Sequence, residues 1–414
     1  MTKVQKTEYA TRLTCEEARN ALVKENNPIT SFETVPIRSS LNRILHEDML
    51  CPVNVPNHTN SAMDGYAIQF SEVINHEKTS YELKGSAFAG RPFGHPIAGN
   101  TAVKIMTGAA MPEGADTVII LEDAEEKNNQ ITFKGIAKKG QNVRLAGEDL
   151  KAGQVFLEAG RRLTASDIGL IASVGISEVR VRRKVKVAFF STGDELKSLG
   201  ESLNVGEIYD SNRYTLYGLL KDFGAEIQDL GVVKDNPSEL KKTLLSASKN
   251  NDAVITSGGV SVGEADHIKS VLASIGKINF WKILMKPGRP LAFGKIGESS
   301  FFGLPGNPVS VMITFMQFVQ PALSKIAGET RRSPIEITAR STYRIRKSPG
   351  RTEFQRGILS FDENGNAIVS PLTAQGSGIL SSMTEANALI HLPEECGEIE
   401  VGAMVRVQPF SLRV

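Results

Sequence analysis

Three segments of residues 252–310 decide how this chain is read: DAVITSGGVSVGEADHIK at 252–269, FWKILMKPGRPLAFGK at 280–295 and SSFFGLPGNPVS at 299–310. Residues 253–256 form a short apolar, β-branched run of the kind that makes a buried strand. The run breaks into Ser257-Gly258-Gly259-Val260-Ser261, where glycine lets the backbone approach a ligand because it carries no Cβ. Gly263-Glu264-Ala265-Asp266 then opens a helical stretch to about Leu272. A glycine-rich strand-to-helix turn aims amide N–H groups and the positive helix end at an anion. Lys282, Lys286-Pro287-Gly288-Arg289 and Leu304-Pro305-Gly306-Asn307-Pro308 repeat that logic. Each turn alone reads equally well as a tight turn of an α/β sheet. Together, with their cations and carboxylates, they read as a phosphate or oxyanion site.

Moving outward, residues 185–190 form a strand that ends in Ser191-Thr192-Gly193-Asp194-Glu195-Leu196. A helix at 213–223, a strand at 226–232 and a helix at 237–249 follow. Alternation at this spacing predicts a parallel sheet with right-handed crossovers. Ligands of such sheets sit beyond the carboxyl ends of the strands. Those ends carry Thr192-Gly193-Asp194-Glu195, Asp235, Ser257-Gly258-Gly259 and Leu304–Asn307, so one shared pocket is the economical expectation. Glu195, Asp235 and Asp266 are the metal or catalytic candidates, while Asp194 reads as a turn residue.

After a helix at 308–326, residues 334–414 return to β patterning. Residues 335–346 alternate, Asn364-Gly365 predicts a two-residue hairpin turn, and 388–392 and 404–409 are further strands of a small barrel or sandwich. Two polar stretches interrupt it, GRTEFQRG at 350–357 and QGSGILSS at 375–382. On local grounds alone, Arg351 and Arg356 read as solvated arginines.

Upstream, residues 14–26 predict an amphipathic helix with Thr14 as N-cap and Glu16 and Glu17 in the first turn. NSAMDGYA at 60–67 contains Asp64-Gly65, locally a hairpin turn. Short β runs fill 81–133, with Thr107 in the loop after one of them and a strand at 117–121. Residues 138–149 are a polar boundary. A helix at 163–174 carries a capping-box pattern in Thr164 and Asp167. The fold class is therefore α/β plus β and multidomain. Residues 1–50 with 143–184 form a discontinuous linker domain, and 51–142 an inserted mostly-β domain. Residues 185–330 form an α/β domain, and 331–414 a C-terminal small barrel or sandwich.

Composition narrows the function classes. The chain has 414 residues, 41% hydrophobic and 23% charged, with a formal net charge of +2. That is ordinary globular composition with no basic field for nucleic acid. Cys15, Cys51 and Cys396 form no CxxC pair, which argues against a zinc ribbon or a disulfide framework. The N-terminus lacks the apolar core of a signal peptide, and the longest apolar run, 309–323, is broken by Gln317, Gln320 and Pro321. A cytoplasmic protein without membrane or nucleic-acid partners is the expectation.

The motifs NSAMDGYA at 60–67, IMTGAAMPEGADTV at 105–118, GED at 147–149, STGDEL at 191–196, SGGVSVGEAD at 257–266, MKPGRP at 285–290 and GLPGNPVS at 303–310 occur in that order. With FQRG and the QGS…SS segment they resemble the molybdopterin molybdenumtransferase (MoeA) family, which includes the C-terminal domain of gephyrin. The resemblance spans nearly the whole chain and implies a molybdopterin-binding three-layer α/β domain over 185–330 and a small β-barrel over 331–414. It also implies an enzyme of molybdenum cofactor biosynthesis that takes adenylated molybdopterin and molybdate. Such an enzyme cleaves the adenylate with a divalent metal, usually magnesium with zinc the alternative, and leaves molybdenum on the dithiolene. By resemblance, Asp64, Thr107, Glu195, Asp235 and Asp266 are catalytic, the last three also holding the metal. Asp149, Thr192, Gly193, Ser257, Gly258, Gly259, Ser261, Lys282, Lys286, Pro305, Gly306, Asn307 and Pro308 bind substrate. Ser310, Arg351, Arg356, Ser377 and Ser381 face molybdate. The resemblance implies a homodimer in which Asp64, Thr107 and Asp149 reach a partner's pocket. It also implies traffic with a molybdopterin adenylyltransferase and with molybdoenzyme apoproteins. Arg289 stands where lysine is more usual in the family, which keeps the charge. Two other readings remain open, a metal-dependent pterin or nucleotide phosphohydrolase and a non-catalytic molybdopterin-binding scaffold.

Overall fold

Along the strand Lys186–Thr192, successive side chains leave on opposite faces, and both faces are buried. Val187 and Phe189 join one hydrophobic cluster, Ala188 and Phe190 another. The same split recurs at Ala253 and Ile255 against Val254, and at Phe302 and Leu304 against Phe301. A sheet apolar on both faces needs helices on both. Helix Ser211–Phe223 and the helical run Pro308–Ile326 cover one face through Leu216, Leu220, Val309, Ile313 and Phe318. Helices Pro237–Asn250 and His267–Ile275 cover the other through Leu240, Leu244 and Leu272. The result is the expected three-layer α/β sandwich, seen here in a computed structural model that describes residues 12–70, 80–134, 138–259, 267–330 and 334–410.

The sheet has seven strands in the order Arg12–Leu13, Lys277–Ile283, Pro290–Ile296, Ser299–Leu304, Ala253–Ser257, Lys186–Thr192, Glu226–Val233. From Ser299–Leu304 to Glu226–Val233 every neighbouring pair is parallel. Pro290–Ile296 runs antiparallel to both of its neighbours. The parallel sheet expected over 185–256 is present, and the hairpin strand Pro290–Ile296 makes the whole sheet a mixed one. Ile296 pairs with Ser299, and two intervening residues can close a hairpin but not a crossover. At the start of the parallel strands, Arg183 donates to both carboxylate oxygens of Asp252 at 2.7 and 2.8 Å, and Asp252 also accepts from the Lys186 amide at 2.8 Å. The opposite, carboxyl ends of these strands are left for loops.

Caps set the helix limits. Thr14 and Glu17 complete a capping box on helix Cys15–Glu25, whose Ala18 and Leu22 join the cluster beneath Pro308–Ile326. That 19-residue apolar run is 67% buried, as befits a core helix. It widens to a π turn at Phe315–Val319, just before Pro321, which has no N–H to donate.

A five-stranded barrel closes the C-terminal part: Thr352–Phe361 pairs with Ala367–Pro371, then come Ile337–Ser341, Met404–Pro409 and Ala388–Leu392, which returns to Thr352–Phe361. Its interior holds Ala339, Val369, Ile390, Leu392, Val405 and Val407. The hairpin at Asn364-Gly365 is present but wider than two residues. The Asp362 amide donates to Asn366 O, the Gly365 amide to Asp362 O, and Gly365 has φ 78°. This makes a three-residue loop with glycine in the left-handed position. Short strand Met285–Lys286 joins the barrel, parallel to Thr352 and Glu353.

Contacts divide the chain into two compact units, Thr34–Leu41 with Leu45–Arg180 in one and the remainder in the other. The former contains a six-stranded sheet in the order Thr117–Ile120, Gly65–Ile68, Thr101–Ile105, Ser80–Ala87, Gln130–Phe133, Ala124–Lys127. Tyr66, Ile68, Tyr81 and Ile131 fill one of its clusters, and Ala67, Val103, Ile105 and Val118 another. Helix Ala165–Ser173 in this unit begins with the expected Thr164–Asp167 capping box.

Phe189 is fully buried in an inner strand of the sheet, so Phe189→Ala removes a ring from a packed core. We expect a loss of about 3–5 kcal/mol, read as a lower urea midpoint. An unchanged midpoint would mean that the unfolding being followed is not that of the seven-stranded sheet.

Candidate functional site

Three adjacent parallel strands end at the same level, at Thr192, Ser257 and Leu304, and the chain leaves each through a loop. Between these loops and the barrel lies a cavity of about 1040 Å³. Thr192 and Glu195 line it after the first strand, Ser257 and Gly258 after the second, and Pro305 to Pro308 after the third. The Gly258 amide donates to Leu304 O at 3.1 Å, and a Cβ on Gly258 would fall 2.4 Å from Thr192 O at φ +87°. Only glycine lets the second loop cross between its neighbours.

Another part of the lining is cationic. Met285–Gly288, Arg289 and Arg351 line it. The Lys286 ammonium lies 3.4 Å from both carboxylate oxygens of Glu353, a side chain 4% exposed in the barrel. Glu353 also accepts from Gln355 at 3.0 Å. A buried carboxylate from the barrel thus holds a half-exposed lysine against the cavity. Arg289 and Arg351 are exposed at its mouth.

The start of the Pro308–Ile326 run forms a further part of the wall. Pro308 occupies the first helical position, where its missing N–H costs nothing. Asn307 donates to Ser377 Oγ at 3.0 Å, and the Val309 amide to Ser377 O at 3.1 Å. Ser377 is thereby fastened beside buried Ser310, and both line the cavity. The helix presents its positive end here, where an anion is favoured.

Arg356 occupies a different place from the one expected. It is 1% exposed and donates to Ala374 O and Gly376 O at 3.1 Å and to Ser382 Oγ at 3.2 Å. Its backbone exchanges hydrogen bonds with the Gln375 side chain at 2.9 and 2.8 Å. Burial lowers its guanidinium pKa from the ordinary value. Arg356 therefore lies beneath the 374–377 loop and shapes it, while Gln375, Gly376 and Ser377 face the cavity.

Other expected site residues are placed elsewhere. Gly193, Gly259, Lys282 and Ser381 do not line the cavity; Lys282 is in register with Pro290, which does. Asp235 is half-buried between strand Glu226–Val233 and the Asn236 cap, off the cavity wall. Ser261 and Asp266 lie outside the described residues. Asp64, Thr107 and Asp149 belong to the other unit. There Asp64 Oδ1 accepts from the Thr107 amide and hydroxyl, each at 2.7 Å, and these bonds hold its carboxyl below the usual range, the amide contributing most. Asp149 is exposed, its amide bonded to Val55 O at 2.9 Å.

Two wall residues, Asp210 and Asn212, escape a sequence reading that starts the third helix at Arg213. The helix begins at Ser211 with Asp210 as N-cap. The signal was the usual one, an aspartate before a helical pattern.

Comparison with known proteins gives concordant results. Residues 13–175 match the MoeA N-terminal region (domains I and II), 188–325 a probable molybdopterin binding domain, and 338–410 the MoeA C-terminal region (domain IV). A molybdopterin molybdenumtransferase from Haemophilus influenzae is 43% identical over 96% of this chain and 99% of its own length. One from Nostoc sp. is 37% identical over 87% of this chain and 85% of its own. The crystal structure of a molybdopterin biosynthesis MoeA protein from Pyrococcus horikoshii OT3 superposes with a TM-score of 0.84, at 30% identity, over 97% of this chain and 100% of that one.

The Lys286–Glu353 contact predicts that Glu353→Gln weakens pyrophosphate binding about three- to tenfold, measured by calorimetry, with the helical circular dichroism unchanged. Equal affinity in the variant would show that Lys286 needs no holding.

Proposed function

The chain belongs to the MoeA family, enzymes that transfer molybdenum to molybdopterin in molybdenum cofactor biosynthesis, and we propose that the cavity at the strand ends is where it does so, with release of AMP from adenylated molybdopterin. The observation that carries this reading is the coincidence of one cavity with Thr192, Glu195, Ser257, Lys286, Ser310, Arg351 and Ser377, residues drawn from both the α/β layer and the barrel. Cleaving a phosphoanhydride requires fixed positive charge where charge accumulates on the phosphoryl oxygens. Lys286, Arg289, Arg351 and the helix end after Asn307 supply it. Molybdate is a tetrahedral dianion, and Ser310 and Ser377 offer hydroxyl donors beside those cations. Arginine at 289 and 351 suits an oxyanion through its two-pronged donor geometry.

Magnesium fits the donor set better than zinc does. It takes one or two carboxylates and completes its shell with phosphate oxygens and water. Glu195, exposed on the cavity wall, would hold it, and Asp266 completes the reading from sequence. When bound, the ion would neutralise charge on the phosphate oxygens. Among the described residues no cluster of three His, Cys, Asp or Glu side chains offers a zinc-type site.

The reading includes a cytoplasmic homodimer in which a second copy supplies Asp64, Thr107 and Asp149. Exposed Leu199, Val205, Ile208, Tyr214 and Tyr217 support an association surface on the cavity-bearing unit. Substrate would come from a molybdopterin adenylyltransferase and product would pass to molybdoenzyme apoproteins.

The test is AMP release from adenylated molybdopterin by the purified protein, with and without molybdate. Molybdate-dependent release is expected, abolished by EDTA, restored by magnesium and lowered about tenfold or more in Glu195→Gln. Release indifferent to molybdate would make the protein a phosphohydrolase, and binding without release would make it a scaffold.

A further inference from the structure

One part of the cavity lining holds three buried oxygens that no group in the protein satisfies. Asp210 is 2% exposed. Its Oδ1 is fully used, accepting from Ser191 Oγ at 3.0 Å and from the Arg213 amide at 3.2 Å, the latter as helix cap. Ser191 in turn meets Ser257 Oγ at 2.9 Å. Asp210 Oδ2 is buried and has no hydrogen-bond partner. The same is true of Thr192 Oγ1, on a residue 4% exposed, and of Asn212 Oδ1. The orientation of the Asn212 amide is fixed because its nitrogen donates to Gly306 O at 2.7 Å. Thr192, Asp210 and Asn212 all line the cavity.

An aspartate that only caps a helix needs one carboxylate oxygen. Leaving the second buried without a partner costs free energy, and more so with two further orphaned oxygens close in sequence or one bond network away. Such corners recur where a ligand supplies the missing donors. Phosphate and molybdate cannot, since they present oxygens. A heterocycle with an exocyclic amino group and ring N–H can.

We propose that Asp210, with Asn212 and Thr192, is the specificity-determining corner that takes the N–H edge of the substrate's heterocycle, leaving the phosphate and molybdate to the Lys286–Arg289–Arg351 wall. The proposal rests on the reading of the cavity as the site of a pterin–nucleotide substrate and adds which residues meet its heterocycle. Two heterocycles bring donors to this corner: the aminopyrimidinone of a pterin, with an amino group beside a ring N–H, and the adenine of AMP, with its amino group alone.

The experiment compares wild type with Asp210→Asn, which keeps the capping oxygen and replaces the second one by a donor. Asp210→Ser is the companion, keeping a short cap and removing the second oxygen. Calorimetry with three probes, a 6-substituted pterin phosphate, AMP and inorganic pyrophosphate, reads the result. We expect a loss of about tenfold or more in affinity for one heterocycle, in both variants, with pyrophosphate affinity within about twofold of wild type. Loss for the pterin phosphate alone assigns the corner to the pterin, and loss for AMP alone assigns it to adenine. Unchanged affinity for both heterocycles would leave Asp210 a helix cap and overturn the proposal. A uniform loss for all three probes would overturn it as well, because it would report a deformed cavity. If wild type shows no molybdate-dependent AMP release, the transferase reading fails, while a selective loss of heterocycle binding in these variants still stands.

Discussion

The close passage of the 257–259 loop across its two neighbouring strands is the constraint on which the site depends. The Gly258 amide reaches the Leu304 carbonyl while its α-carbon faces the Thr192 carbonyl, with no room for a Cβ. That contact keeps three strand ends at one level. It converts what would be separate turns into a single floor, with hydroxyls from Thr192, Ser257 and, behind them, Ser191. Because these strands are parallel and adjacent, their loops must all leave on the same side. The base of the sheet is tied by Arg183 and Asp252, and the carboxyl end is left to the loops.

The barrel supplies what the sheet cannot. A two-residue parallel pairing puts Lys286 beside Glu353, and Ser377 fastens the 374–377 loop to the first turn of the Pro308 helix. Arg356 stiffens that loop from below through two carbonyls and a serine hydroxyl. The cavity therefore offers two kinds of chemistry. Its lining carries cations and a helix N-terminus as well as acceptor oxygens at the start of another helix, and the two meet where Asn212 donates to Gly306 O. A long substrate with an anionic end and a heterocyclic end meets complementary chemistry at each.

Much of this was legible along the chain. The caps at Thr14 and Thr164 are local hydrogen-bond patterns and appear where the sequence puts them. So do the strand ends with glycine and proline, because φ restrictions and missing N–H groups act within a few residues. Other features were not. Whether Arg356 meets solvent, ligand or loop depends on the fold of residues 374–382, some twenty positions away. Asp210 looked like part of a connection, and its second carboxylate oxygen acquires meaning only against Thr192 and Asn212. The antiparallel strand Pro290–Ile296 follows from a two-residue connection at Gly297-Glu298, outside the alternating strands and helices of 185–256.

The sequence by itself determined the element types, the glycine and proline turns, the α/β domain with a terminal barrel or sandwich and, through ordered motifs, the family. These follow from short-range sterics, hydrophobic period and capping, which the chain carries in every local window. Tertiary structure alone decided which polar side chains share a cavity, which arginine faces it and which one is buried beneath it. The physical reason is that hydrogen-bond satisfaction and burial are properties of groups brought together from distant positions. Arg356 is spent on carbonyls that its own neighbourhood in sequence does not contain, and Asp210 keeps a free oxygen only because Ser191 and the Arg213 amide have already claimed the other.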